Sequence, residues 1–217
     1  MKKSLLGAIL ATSLVATLGL VACGGQSAPA SSNEPEATPA EEQATETAAT
    51  PANDSAAYGY TGEDPVEAAV YKYMAEEMSK NYEPADASIP TVQIVKIDAT
   101  NPDDVIVYGD FWVENYKIDG ETLSCTSGGN YPGVMHVTKN GDTYTVSSFD
   151  QVADGSNFDS SAKELFGDNY DAFMKVYSDS DARTALRITT VSNYVKANGL
   201  AVTQYQDYGW DPVQLNK

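Results

Sequence analysis

One histidine and two cysteines occur in the chain, and one residue of each type lies in the stretch SCTSGGNYPGVMHV, residues 124–137. Cysteine hydrolases and transferases use a thiolate beside an imidazole as nucleophile and base. The intervening Gly and Pro residues are typical of a chain reversal, and a hairpin centred on Gly129-Asn130 would make Cys125 and His136 diagonal neighbours on one sheet face. Two interpretations follow: a catalytic pair, or a small buried thiol and a half-buried strand histidine.

A second set of candidate residues lies on the predicted strand at residues 103–118. Strand alternation places Asp110, Trp112 and Glu114 on one face, together with Tyr108 and Tyr116. Aromatic residues flanked by acids are typical of sugar sites, and paired carboxylates hydrolyse glycosides. Residues four apart on a strand are about 13 Å apart, which is too far for Asp110 and Glu114 to act together without a further acid.

This aromatic and acidic face therefore predicts a surface that binds a sugar or a cation. The C-terminal tail carries Tyr205, Tyr208 and Trp210, too many aromatic residues for a solvated end. We expect the tail to pack back onto the domain and Tyr208 and Trp210 to join the same surface.

Aspartate-rich segments raise the question of calcium, but none has the spacing of oxygen ligands found in EF-hands. The acidic residues fall where helix N-caps are expected, and capping accounts for them: Asp159, Asp168, Asp179 and Asp181. No Gly-rich phosphate loop, HExxH pair or Gly-x-Ser-x-Gly motif occurs. The sequence predicts no cofactor and no metal centre.

The elements that would position these residues follow the order helix, strands, helices. Asp64 is a predicted N-cap, with Pro65 at the first helical position and Glu67 completing a capping box. Asn140-Gly141 is the strongest of several turn signals between strand-like runs. The runs are residues 91–98, 103–118, 120–127, 133–139 and 142–149. This order predicts an α+β fold with an N-terminal helix, an antiparallel meander of about five strands and two to three C-terminal helices.

The chain before this domain has two parts. Residues 1–22 have the basic start, apolar run and small residues of a signal peptide. Residues 23–62 are rich in Ala, Pro, Thr and Glu, without Lys or Arg and without a bulky apolar residue before Tyr58. Such a segment buries too little apolar surface to fold, so we predict a disordered acidic linker. Residues 63–217 form the predicted single folded domain.

The charge balance limits the partners. The chain has 13 Lys and Arg against 31 Asp and Glu, and loss of Lys2 and Lys3 with the signal peptide takes the formal charge from −18 to −20. Phosphate backbones repel such a protein, so we expect no nucleic-acid partner.

The segment Leu20-Val21-Ala22-Cys23 resembles the bacterial lipobox, whose cysteine takes a diacylglyceryl group and becomes the mature N-terminus. The resemblance implies that Cys23 is the lipid attachment site and that the protein lies at the cell membrane, facing the extracytoplasmic side. Two acyl chains hold a protein stably on a bilayer. With Cys23 modified, Cys125 has no disulfide partner in the chain.

The segments GDFWVENYKIDGETL, SGGNYPGVMHVTK, SFDQVADGSNF and YQDYGWDPV resemble a family of bacterial envelope lipoproteins, a resemblance that implies no activity. A helix leading into an antiparallel meander also resembles the cystatin-like, cone-shaped folds that include the nuclear-transport-factor-like superfamily.

Together these features predict a lipid-anchored, non-catalytic binding or interaction module at the cell envelope, with a small ligand or an envelope protein as its partner. One alternative is an envelope hydrolase or transferase that uses a pocket with Cys125 and His136, or with Asp110 and Glu114. The other is a structural envelope protein that binds divalent cations through its acidic surface.

Overall fold

The computed structural model describes residues 54–216. The signal peptide, Cys23 and the linker up to residue 53 lie outside the described residues, so the predictions made for them stay predictions. No helix within residues 54–216 has both the length and the apolar character that a membrane crossing requires.

Residues 54–216 form a six-stranded sheet and four α-helices, which confirms the predicted α+β class. The helices are α1 (Pro65–Glu76), α2 (Phe158–Phe166), α3 (Tyr170–Ser178) and α4 (Ser180–Ala197). The strands are β1 (Ala87–Asp98), β2 (Val105–Asp119), β3 (Thr122–Asn140), β4 (Thr143–Gln151), β5 (Gln204–Gln206) and β6 (Val213–Gln214). Short 3-10 helices cover Asp54–Tyr58, Met78–Asn81, Gly155–Asn157 and Gly167–Asn169.

Ordered structure begins before the predicted domain boundary. Asp54–Tyr58 forms a 3-10 helix, and Tyr60 is buried against Tyr71 with ring centroids 5.0 Å apart. The Asn198 side-chain amide donates to the Ala57 carbonyl at 3.1 Å. The prediction of a linker reaching residue 62 is therefore wrong at this end, because Tyr60 supplies apolar surface that the core buries.

The predicted start of α1 is confirmed. Asp64 Oδ1 accepts from the backbone N–H groups of Val66 and Glu67 at 2.8 and 3.3 Å. The capping box does not close, because the Asp64 N–H donates to the Tyr60 hydroxyl at 3.1 Å instead of to Glu67.

The aspartates predicted to cap the C-terminal helices behave differently from one another. Asp179 caps α4 and accepts from the Ala182 N–H at 2.9 Å. The capping predictions for Asp159, Asp168 and Asp181 are wrong. The chain enters α2 and α3 directly from 3-10 helices, so no extended residue precedes either helix to act as a cap.

The largest difference from the prediction lies in β3, which runs unbroken through the Gly- and Pro-containing stretch. Its pairing with β2 extends from Thr122 opposite Asp119 to Val137 opposite Val105, so the predicted hairpin is wrong. The glycines serve close packing: a Cβ on Gly133 would lie 2.2 Å from the Asp150 carbonyl oxygen, and one on Gly129 would lie 2.2 Å from the Tyr82 hydroxyl oxygen.

Strands β1 to β4 pair in antiparallel order, which confirms the meander. It has four strands instead of the predicted five or so, because the predicted strands at residues 120–127 and 133–139 are the single strand β3. The Asn140-Gly141 turn between β3 and β4 is confirmed, with Gly141 at a φ of 62°. The outer edge of β3 is shared, because β4 pairs with its C-terminal part while β5 pairs in parallel with Thr122–Ser124. The aromatic tail packs back onto the sheet through Tyr205, which is buried, but Tyr208 and Trp210 stay exposed, so the expectation that the tail avoids solvent is confirmed only in part.

The two faces of β2 bury different sets of residues. Val107, Phe111 and Val113 pack against α1, so this face is core as predicted. The opposite face lies under α2, α3 and α4, with Tyr108 against Phe166 in one cluster and Tyr116 beside Val191 and Val195 in another. The helices therefore cover the strand face that was expected to bind a ligand.

Candidate functional site

Cys125 and His136 do not form a site. Both lie on the single strand β3, where eleven residues at about 3.3 Å each separate them by about 36 Å. Cys125 lies opposite Tyr116, and His136 lies opposite Ile106 near the other end of β2. The predicted contact is wrong because it depended on a hairpin that the chain does not form.

The environment of Cys125 keeps its sulfur protonated. The half-buried thiol donates to the Ser127 carbonyl, with the two heavy atoms 3.6 Å apart. Burial raises the pKa of Cys125 to about 11, although the nearby Arg187 acts to lower it. Because the thiolate is the nucleophilic form, this cysteine has the properties of a structural thiol.

His136 lies at the opposite end of β3 between two carboxylates. Its Nδ1 lies 3.0 Å from one carboxylate oxygen of Asp104, and its Nε2 lies 3.9 Å from Asp150. Ser148 is its cross-strand partner on β4, but no hydrogen bond joins the serine hydroxyl to the ring among the described contacts. The imidazole is oriented by Asp104 without a nucleophile bonded to it.

Asp110 is fully buried and tied to its neighbours in the sheet. Trp112 Nε1–H donates to one carboxylate oxygen at 3.0 Å, and the Asn130 side-chain amide donates to the other. Burial raises the pKa of Asp110, while these two hydrogen bonds act to lower it. The Arg183 guanidinium covers the Trp112 ring at 4.6 Å from its centroid and closes the site from the helix side.

Glu114 is the buried acid with the least complete set of partners. Its Oε1 lies 3.6 Å from Arg187 Nε, and its Oε2 has no hydrogen-bond partner in the described part of the chain. Burial raises the pKa of Glu114 to about 7, and Arg187 lowers it only in part. The pKa of Glu114 stays raised because the 3.6 Å between its Oε1 and Arg187 Nε is too long for a charge-assisted hydrogen bond.

Arg187 of α4 lies at the centre of this polar cluster. Its Nη1 and Nη2 donate to the two carboxylate oxygens of Asp207 at 2.8 and 2.7 Å, and Nε and Nη2 donate to the Tyr116 hydroxyl at 3.0 and 2.7 Å. The guanidinium also lies over the Tyr205 ring, 4.4 Å from its centroid. Burial acts to lower the pKa of Arg187, but Asp207, Glu114 and Tyr116 outweigh it and keep the guanidinium charged.

This polar cluster is closed to a substrate. Asp110, Glu114 and Tyr116 are all buried beneath the helices. Two open grooves of about 330 and 400 Å³ lie elsewhere, one between α4 and the C-terminal segment and one at residues 79–88, and no predicted site residue lines either of them. No three His, Cys, Asp or Glu side chains between residues 54 and 216 are arranged to hold a metal ion.

Of the residues predicted to bind a ligand, the accessible ones lie in the segment between β5 and β6, residues 207–212, which we call the aromatic loop. Tyr208 is 97% exposed and Trp210 is 76% exposed, whereas Tyr108 and Trp112 are half-buried. The loop is held in shape at its base: Trp210 N–H donates to the Asp207 carbonyl at 3.1 Å, and the Gln206 side-chain amide donates to the Trp210 carbonyl at 2.8 Å.

Sequence reasoning did not identify Arg183, Arg187, Asn130 or Asp207 as parts of this cluster. One signal was available for the arginines. Arg187 lies four residues before Val191 and eight before Val195, within the apolar stripe of α4, and Arg183 lies one turn earlier. Basic residues within a buried stripe predict carboxylates opposite them, and the acidic face of β2 supplies those carboxylates.

No protein-family model, curated protein or solved structure matches this chain. The resemblances to envelope lipoproteins and to cystatin-like folds therefore stay predictions.

Proposed function

We propose that this protein is a lipid-anchored extracytoplasmic interaction module, without catalytic activity, that docks a partner through the aromatic loop. The observation that carries the proposal is the exposure of Tyr208 and Trp210 on a loop whose base is fixed by Arg187 and Asp207.

Exposure of both rings has no explanation in the fold. Neither ring stacks on another aromatic ring or lies beneath a Lys or Arg among residues 54–216. Trp and Tyr are the residue types that contribute most to protein interfaces, where their burial supplies a large share of the binding free energy. Two exposed rings on a loop with a fixed base are therefore best explained as a docking surface.

The anchor and linker fit this role. A diacylglyceryl group on Cys23 would hold the chain at the membrane, and an acidic linker would keep the folded domain clear of the anionic surface. Because anionic headgroups repel the acidic domain, its partner is expected to be a protein and not the lipid surface.

The two rival functions have less support. The hydrolase or transferase hypothesis needs Cys125 beside His136, or an accessible Asp110 and Glu114, and the fold separates the first pair and covers the second. The cation hypothesis needs converging carboxylates, whereas Asp110 and Glu114 each face a different arginine.

Site-specific photocrosslinking in the cells that produce the protein tests the docking surface. A photoreactive amino acid at position 210 is expected to trap a discrete envelope protein, and the same group at the exposed turn residue Asp142 is the matched control. Identical patterns from both positions, or no adduct from position 210, would contradict the proposal.

Metabolic labelling with a palmitate analogue tests the anchor. The wild-type chain is expected to take up the label and to fractionate with membranes, and Cys23→Ser is expected to abolish both. Label retained in Cys23→Ser would show that the lipid lies elsewhere or that the anchor prediction is wrong.

A further inference from the structure

The charge around the aromatic loop bears on the kind of partner that fits it. No Lys or Arg occurs between Lys196 and Lys217, and the loop itself carries Asp207 and Asp211. Asp207 is already neutralised by Arg187, and Asp211 forms no ion pair with any described residue. The exposed surface of the loop therefore combines two aromatic rings with a net negative charge.

We propose that the aromatic loop binds a Lys- or Arg-rich segment of an envelope protein, with a basic side chain packed over the ring of Trp210 or Tyr208. This inference rests on the proposed function and names the class of partner for the same surface. A cation over a Trp or Tyr ring is attracted by the ring quadrupole, and the attraction grows when the pair is removed from water.

The protein uses the same chemistry within its own fold. Arg183 covers the Trp112 ring at 4.6 Å, and Arg187 covers the Tyr205 ring at 4.4 Å. Both of these rings are at least half-buried by the arginines and the helix that carries them. Tyr208 and Trp210 lie on the exposed loop between β5 and β6, and a basic partner would supply the cation that the fold supplies to Trp112 and Tyr205.

Loop geometry and overall charge both favour such a partner. Gly209, with a φ of 81°, and the two hydrogen bonds of Trp210 fix the loop before binding, so little conformational entropy is lost on association. The formal charge of −18 attracts basic partners over a distance and repels anionic polymers and headgroups.

Isothermal titration calorimetry of the full chain in detergent tests the inference, with a hexa-arginine peptide, a hexa-glutamate peptide and a neutral N-acetylglucosamine oligomer as probes. The arginine peptide is expected to bind saturably, to weaken at least fivefold between about 50 and 300 mM NaCl, and to weaken at least tenfold in Tyr208→Ala/Trp210→Ala. Because both side chains are exposed, the double variant is expected to keep its fold, which circular dichroism checks. Glu164→Gln, which removes an exposed acid from α2, is the matched control and is expected to change the affinity less than twofold.

The possible failures are distinguishable. Equal binding of hexa-arginine by the double variant would show that attraction is spread over the acidic surface and would overturn the inference. Binding of the glucosamine oligomer that depends on Trp210, without binding of hexa-arginine, would also overturn it but would leave the aromatic loop as a docking surface. Absence of any photocrosslinked adduct from position 210 in cells would overturn the proposed function itself.

Discussion

Arg187 on α4 and Asp207 at the start of the aromatic loop form a bidentate ion pair with N–O distances of 2.8 and 2.7 Å. The Arg187 side chain is only 13% exposed, so this pair joins a buried position of the helix to the base of an exposed loop. The aromatic loop and the core of the domain are thus connected through one guanidinium group.

Replacement of Arg187 by alanine is expected to lower the free energy of unfolding by about 3 to 5 kcal/mol, because Glu114 and Asp207 lose the cation that compensates their charge. Arg187→Lys is expected to restore only part of the loss, since an ammonium group cannot reproduce the planar fork. Urea unfolding measures both. The exposed Lys163–Asp159 pair, at 2.7 Å, provides the control, and Lys163→Ala is expected to change the stability far less, because water screens an exposed ion pair. A loss below about 1 kcal/mol for Arg187→Ala would contradict the central role of this residue.

The stability of the domain is expected to depend on the ionisation of Glu114. Burial raises its pKa from 4.5 to about 7, so the folded state binds more protons than the unfolded state between these values. The free energy of unfolding contributed by this group therefore falls as pH rises from about 4.5 to 7, by up to about 3 kcal/mol. Comparison of wild type with Glu114→Gln at several pH values isolates this contribution, because the other carboxylates cancel in the difference. A difference that does not vary between pH 5 and 7 would refute the assignment.

Gly133→Ala is expected to destabilise the domain by about 1 to 3 kcal/mol, since the new methyl group would lie 2.2 Å from the Asp150 carbonyl oxygen and must displace β4. Gly129→Ala should cost less, because the Tyr82 hydroxyl that it meets is at the end of a side chain that can rotate. Thermal unfolding ranks the two variants. Equal effects would indicate that the spacing of β3 and β4 tolerates a methyl group.

Thiol labelling of Cys125 is expected to be slow in the folded protein and fast in urea. Burial raises the thiol pKa to about 11, so little reactive thiolate is present at neutral pH. A Cys23→Ser background makes Cys125 the single reporter. Folded-state labelling at the rate of a free peptide cysteine would show that the thiol is accessible and would reopen the question of a reactive role.

Short-range features were predictable from the sequence. The Asp64 cap, the Pro65 start of α1 and the Asn140-Gly141 turn depend on hydrogen bonds and φ angles within a few residues, and each is as expected. Alternation along β2 likewise predicted that Val107 and Phe111 lie on the core face, opposite the face with the acidic and aromatic residues. The α+β class followed from the order of these elements.

The stretch 124–137 shows where local reasoning fails. Glycine marks a turn when the chain needs a positive φ, and it marks close contact when another backbone leaves no room for a Cβ. Both situations place the same residue type in the sequence. For Gly133 the deciding neighbour is the Asp150 carbonyl on β4, and no pattern near residue 133 identifies it.

The sequence by itself determined the helix start, the turn between β3 and β4, the α+β class and the division of β2 into two faces, because each of these is set by interactions between near neighbours in the chain. Only the tertiary structure decided that α4 covers Asp110 and Glu114 while Tyr208 and Trp210 stay exposed. Burial depends on which distant segments pack together, and here Arg187 of α4 pairs with Asp207, twenty residues further along the chain.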